Sequence, residues 1–238
     1  MSTPLELRVD NVPIRLYAQE PPPESGKGHA AIILLHGAGG NLDFWTSRFG
    51  PYLQEAGIAL YAPHYFDRTG TTRADPALLR DGPHVPQWLD VIDATVRLAA
   101  SRPGIHPERI VLAGISLGAF LSLAFAATLS AADDPAQHQR LRAVVAISGG
   151  LVNPFAAQAN SAFPATLILH GEQDNVVPVS YAESLDRKLT ELNVAHRTEI
   201  LPGEGHWFTA AALPRMLHAV SGFLQAHLDI DAVAERAM

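Results

Sequence analysis

The sequence predicts an α/β protein whose central, mostly parallel sheet carries helices on both faces. Three observations lead there. Unbroken apolar runs rich in β-branched residues recur along the chain, the pattern of inner parallel strands covered on both sides. Segments with helical composition or spacing separate them, and strands alternating with helices imply crossover connections within one sheet. Finally, Gly114-Ile115-Ser116-Leu117-Gly118 sits between such a run, Arg109 to Ala113, and an Ala- and Leu-rich stretch from Ala119 to Ala127. A serine held by two glycines between a strand and a helix is a nucleophile-elbow pattern: the turn is too sharp for bulky neighbours, and the hydroxyl stands above the sheet.

Composition narrows the classes. The 238 residues suit one domain covering the whole chain, with 47% hydrophobic and 17% charged residues arguing for a packed core. A net charge of −7 without a basic cluster argues against a nucleic-acid partner. The chain has no cysteine, which excludes disulfides, thiolate metal sites and a cysteine nucleophile, and fits a cytoplasmic protein. No His, Asp or Glu cluster has metal-ligand spacing, so neither metal nor cofactor is expected. Met1 to Asp10 carries Glu6, Arg8 and Asp10 and no apolar run, so no signal peptide is expected. Ile110 to Ala132 is a run of 23 uncharged residues, long enough to cross a bilayer. Its β-branched start, its two glycines and the serines at 116, 122 and 130 favour a buried strand running into a central helix instead. No membrane partner is therefore expected, and the chain is expected to act as a monomer or homodimer on a small molecule.

The elements follow in order. Leu5 to Val9 and Val12 to Tyr17 read as two antiparallel edge strands joined at Asp10-Asn11. Pro21 to Gly28 reads as an exposed loop. Ala30 to Leu35 is an inner strand ending in His36-Gly37-Ala38-Gly39-Gly40-Asn41. A helix capped by Asn41 or Asp43 runs to about Ala56, closed by Gly57. After a strand from Ile58 to Pro63, His64 to Pro86 reads as a long functional loop with at most a short helix. Trp88 to Ala100 has a helical apolar face. Ala143 to Ile147, Thr166 to His170 and His196 to Leu201 are the later strands, with helices from about Ser180 to Leu192 and Ala211 to Leu228. Asp229 to Met238 is expected to fray.

Ligands of such sheets gather beyond the carboxyl ends of the strands, and the polar residues of interest fall there. Ser116 needs a base, because an unaided hydroxyl is a poor nucleophile. Of eleven histidines, His206 stands out, in the glycine-rich turn Gly203-Glu204-Gly205-His206 after the last strand. Asp174, just after the strand ending at His170, suits the acid that orients such a histidine. The order Ser, Asp, His is that of a serine hydrolase on an α/β sheet.

On these residues the chain resembles the α/β-hydrolase superfamily across nearly its whole length, and most of all its small, lid-poor dienelactone-hydrolase-like group. The Gly-Ile-Ser-Leu-Gly elbow, the His170-Gly171-Glu172-Gln173-Asp174 turn, the Gly-Glu-Gly-His turn and the loop from His36 to Gly40 carry the resemblance. It departs in having Ser116 where dienelactone hydrolases have cysteine, and no glutamate beside the oxyanion loop, so plain ester chemistry is implied rather than dienelactone hydrolysis.

The resemblance implies two-step acyl transfer by Ser116, His206 and Asp174, with an oxyanion held by the backbone N–H groups of Ala38 and Leu117. Phe44, Trp45 and Trp207 are candidates to line an acyl pocket, with His64, Gly39 and His36 bordering it, although His36 reads mainly as shaping the oxyanion loop. His170 reads as a satisfied strand-end residue. The expected substrate is a carboxylic ester of small or medium acyl chain. A thioesterase or peptidase on the same residues, or a catalytically silent binding protein, are the alternatives.

Overall fold

A computed structural model describes residues 5–22, 28–74 and 84–228. β1 (Leu7–Val9) and β2 (Val12–Ile14) pair antiparallel across Asp10 and Asn11, both at positive φ, as a mirror-image hairpin turn requires. The second predicted strand is broken at Arg15, whose backbone N–H donates to Asp67 Oδ2 at 2.9 Å and not to a strand partner. The hairpin is therefore a ribbon of its own, and β3 (Leu16–Gln19) alone joins the main sheet, as its antiparallel edge.

The other strands of that sheet are β4 (His29–Leu35), β5 (Ala59–Pro63), β6 (Ile105–Ile115), β7 (Ala143–Ile147), β8 (Ala165–Gly171) and β9 (His196–Leu201). They lie in the order β3-β5-β4-β6-β7-β8-β9, all parallel after β3. Why β4 is apolar without a break is visible in its packing. Ala31, Ile33 and Leu35 point into one core and Ala30, Ile32 and Leu34 into the other, so neither face tolerates a polar residue.

The first core is closed by α2 (His84–Ala100), α3 (Leu117–Ser130) and α6 (Ser180–Glu191), the second by α1 (Leu42–Glu55) and α7 (Leu213–Leu228). Trp88, Val91, Ile92 and Val96 form the buried stripe of α2, and each large apolar side chain so buried contributes roughly 1.5–3 kcal/mol. Two single turns, α4 (Pro135–His138) and α5 (Phe155–Gln158), lie where the sequence suggests a break and a loop.

The uncharged run from Ile110 resolves into the end of β6 and all of α3. Twelve of the fourteen α3 residues are buried, so the helix is apolar all round because it is central. Its Ser122 hydroxyl donates to Gly118 O at 2.8 Å and that of Ser130 to Ala127 O at 2.9 Å. Among the described residues no helix is long and apolar enough to cross a membrane.

Two further expectations are corrected. Asn41 occupies the N-cap of α1 but makes no side-chain cap bond, while Gly57 does close the helix at φ 66°. The segment after β5 opens as a 3-10 turn, Tyr65–Thr69, with Tyr65 and Phe66 fully buried, so its start belongs to the core. Residues 75–83 of that expected loop, most of the loop at 21–28 and the expected frayed end lie outside the described residues.

Candidate active site

Ser116 follows β6, near the middle of the sheet, and takes φ 55° and ψ −119°. Such a backbone costs an L-residue on the order of 1–3 kcal/mol and persists only where its surroundings enforce it. Here the two glycines of the motif let the surroundings close in. A Cβ on Gly114 would lie 2.1 Å from Gly118 O, and one on Gly118 would lie 2.2 Å from Leu35 O. The Ser116 N–H donates to Ile147 O at 2.8 Å, and its carbonyl accepts from Ala119 N at 2.8 Å, starting α3. The hydroxyl is thereby fixed at the carboxyl edge of the sheet.

The acid and histidine turns arrive there from β8 and β9 and are laced together by backbone. Glu172 N donates to Leu201 O at 3.0 Å and Gln173 N to Glu204 O at 2.8 Å. Gly171 permits this, since a Cβ there would lie 2.3 Å from Gly205 O. Glu204, which sequence reasoning passed over, braces the histidine turn: its carboxylate accepts from the Thr209 backbone N–H at 2.7 Å and from the Thr209 hydroxyl at 2.6 Å.

Asp174 Oδ1 accepts from the backbone N–H groups of Val176 and Val177, each at 2.8 Å. Its Oδ2 lies 2.7 Å from His206 Nδ1, and His206 Nε2 lies 3.0 Å from Ser116 Oγ. Burial disfavours the Asp174 charge, yet the bonds from His206, Val177 and Val176 outweigh it and hold the carboxyl below its ordinary range. A carboxylate only accepts, so Nδ1 carries the proton and Nε2 turns its lone pair to the serine hydroxyl. The structure thus brings Ser116, Asp174 and His206 into one hydrogen-bonded line. Among the described residues, the Ala38 and Leu117 backbone N–H groups donate to no protein acceptor.

A second imidazole reaches the same carboxylate. His170 is fully buried, with Nε2 2.8 Å from Val177 O and 3.4 Å from Asp174 Oδ2. Among the described residues its Nδ1 has no partner, so the strand-end reading of His170 holds for one ring nitrogen only.

A cleft of about 150 Å3 opens beside His206. Phe44, Trp45 and Trp207 line it as expected, with Trp45 and Trp207 stacked at 6.4 Å. Ile147, Leu213 and Met216 also line it, and nothing local in the sequence marks them. The other three candidates sit elsewhere. His36 is wholly buried, stacked on Tyr65 at 4.1 Å with Nδ1 donating to Gly37 O at 2.8 Å, so it shapes the loop and does not line the cleft beside His206. Burial pushes it down to about 4. Gly39 lies on the exposed rim of the loop, outside the cleft wall. His64 is buried and lines a separate, polar hollow with Arg15 and Asn41.

A seven-stranded, mostly parallel sheet with an elbow serine in hydrogen-bonded line with a histidine and an aspartate defines an α/β-hydrolase. Residues 61–228 match the model of the phospholipase/carboxylesterase family, and the chain belongs to that family. It is 26% identical to an acyl-protein thioesterase 1 of Eremothecium gossypii over 94% of this chain and 97% of that one. It is 24% identical to an acyl-protein thioesterase 1 of Gibberella zeae, over 87% and 94% respectively. Among solved structures, a Klebsiella pneumoniae protein assigned as a dienelactone hydrolase shares the fold, with a TM-score of 0.75 at 18% identity over 93% of this chain and 97% of that one. The chain is thus a hydrolase of the esterase or thioesterase type with the fold of the dienelactone-hydrolase-like group.

Proposed function

We propose that this protein is a serine hydrolase that cleaves carboxylic esters of small or medium acyl chains. The observation that supports the reading most directly is the line from Asp174 through His206 to Ser116, at 2.7 and 3.0 Å. His206 Nε2 takes the hydroxyl proton as Ser116 Oγ bonds the acyl carbon, and Asp174 steadies the resulting imidazolium. The same proton passes to the leaving oxygen as the ester C–O bond breaks. Water then attacks the acyl-serine with His206 as base, releasing the acid and restoring the serine. The N–H groups of Ala38 and Leu117 receive the oxyanion in both steps, donors of a kind worth about 3 kcal/mol each. The acyl chain occupies the cleft beside His206. At about 150 Å3 it matches a cavity that accepts a benzene-sized group, which suits a short chain.

Thioester hydrolysis is the second reading, favoured by the two thioesterase relatives. A fluorophosphonate probe tests the nucleophile: it should label the protein, and Ser116→Ala should abolish labelling. Turnover of p-nitrophenyl butanoate beside butanoyl-thiocholine ranks ester against thioester. A protein that resists the probe and turns over neither substrate is not a serine hydrolase.

A further inference from the structure

Two depressions of opposite chemistry meet along one side chain. Phe44, 55% exposed, lines both the apolar cleft beside His206 and a second hollow of about 500 Å3. Beside Leu16 and Leu42, the walls of the second are mostly hydrogen-bonding groups: Arg15, Tyr17, Asn41, Asp43 and His64, with the backbone of Gly40. The hollow starts inside the oxyanion loop, because Gly40 is two residues beyond Ala38, a span of at most ~7 Å. An ester whose carbonyl oxygen faces the Ala38 N–H can therefore lay its acyl part on one side of the Phe44 ring and its alcohol part on the other.

The charges of the hollow say which alcohol. Among the described residues Arg15 is its only lining cation, and it is already engaged: Nη2 and Nε donate to Asp67 at 2.7 and 3.0 Å. Asp43 adds a second carboxylate near the same guanidinium. With two anions around one cation, the described residues leave no spare positive charge for a phosphate or carboxylate. His64 adds none, since burial pushes its basicity down and its Nδ1 already lies 3.0 Å from both Arg15 Nη2 and Asp67 Oδ1. What the walls do offer is matched donors and acceptors. The Asn41 amide gives both, the Asp43 carboxylate accepts, and the Tyr17 hydroxyl, donating to Gln19 Oε1 at 2.8 Å, keeps a lone pair.

We propose that this hollow is the alcohol-side subsite of the enzyme and that it takes a neutral, hydroxyl-rich alcohol such as glycerol. The proposal rests on the ester reading above and deepens it. A simple alkyl alcohol would leave the walls facing no partner, whereas a polyol replaces its lost water with hydrogen bonds at each hydroxyl.

The test compares esters of one acyl group, ethyl butanoate, glyceryl monobutanoate and its phosphorylated glyceryl analogue, by pH-stat titration, with p-nitrophenyl butanoate as a common reference. The glyceryl ester should exceed the ethyl ester at least tenfold in kcat/KM, and the phosphorylated ester should fall below the neutral glyceryl one. Asn41→Ala and Asp43→Ala should each shrink the glyceryl-to-ethyl ratio at least fivefold. Asn41 makes no cap bond and both positions are exposed, so the fold should survive either change. Turnover of p-nitrophenyl butanoate with equal rates on ethyl and glyceryl esters overturns the subsite while sparing the ester reading. A ratio unchanged in both variants, or a preference for the phosphorylated ester, also overturns it. No turnover of any ester overturns both.

Discussion

Asp174→Asn is the substitution whose outcome the geometry dictates most tightly. Oδ1 accepts two backbone N–H groups, from Val176 and Val177, so the replacement must keep its oxygen there. The amide nitrogen then takes the place of Oδ2, 2.7 Å from His206 Nδ1. Two donors cannot face each other, so His206 moves its proton to Nε2, the atom 3.0 Å from Ser116 Oγ, and loses the lone pair that should receive the serine proton. Wrong-tautomer substitutions of this type lower kcat by about 10⁴ in serine proteases, or about 5 kcal/mol of transition-state stabilisation. Stability should fall only by about 1 kcal/mol, because both backbone donors stay paired. Asp174→Ala differs: it strands both donors, at ~1–3 kcal/mol each, and confounds activity with folding. The assay is kcat for p-nitrophenyl acetate at pH 7.5 beside a urea titration of each variant. An Asn variant retaining more than a tenth of wild-type kcat would refute the argument.

Three further outcomes follow from other parts of the fold. The unfolded His36 protonates near the ordinary ~6.5, whereas burial holds the native imidazole neutral down to about 4. The unfolded chain thus binds more protons between those values, and the His36 contribution is whole above pH 6.5 and drains as pH falls toward 4. By pH 5 about 2 kcal/mol should be gone, a slope that urea titrations at pH 7.5 and 5 should show in wild type and find flattened in His36→Asn. Gly118→Ala drives a Cβ to 2.2 Å from the Leu35 carbonyl and should cost more than ~4 kcal/mol, whereas Gly70→Ala, at φ 65° with open space, should cost about 1 kcal/mol by thermal melting. Met216→Ala deepens the cleft beside His206 and should move the best acyl chain about two carbons longer across a p-nitrophenyl ester series.

Much of the framework was legible because single residues carried several constraints at once. The strand Ala143 to Ile147 matches the sequence reading at both ends, since an apolar run buried on both faces has sharp limits. The elbow was legible because its glycines answer a close approach that no side chain survives. Errors collected where a tertiary partner decided local structure. Arg15 left its strand for Asp67, which lies 52 residues away. Tyr65 and Phe66 enter the core from a stretch whose prolines and glycines suggest a long functional loop with at most a short helix. The motif places His36 at the border of the pocket as well as in the loop, and stacking on Tyr65 leaves it only the loop.

The order of apolar and punctuating residues by itself determined the kind of sheet, its inner strands and the serine, acid and histidine standing at strand ends. Periodicity and turn chemistry are local, so they survive in the linear chain. Only the tertiary structure decided that Ile147, Leu213 and Met216 share a cleft with His206, that two imidazoles meet one carboxylate, and that Phe44 parts an apolar cleft from a polar hollow. Those relations join residues distant along the chain through packing and burial, and neither spacing nor composition encodes which distant side chains the folded backbone brings face to face.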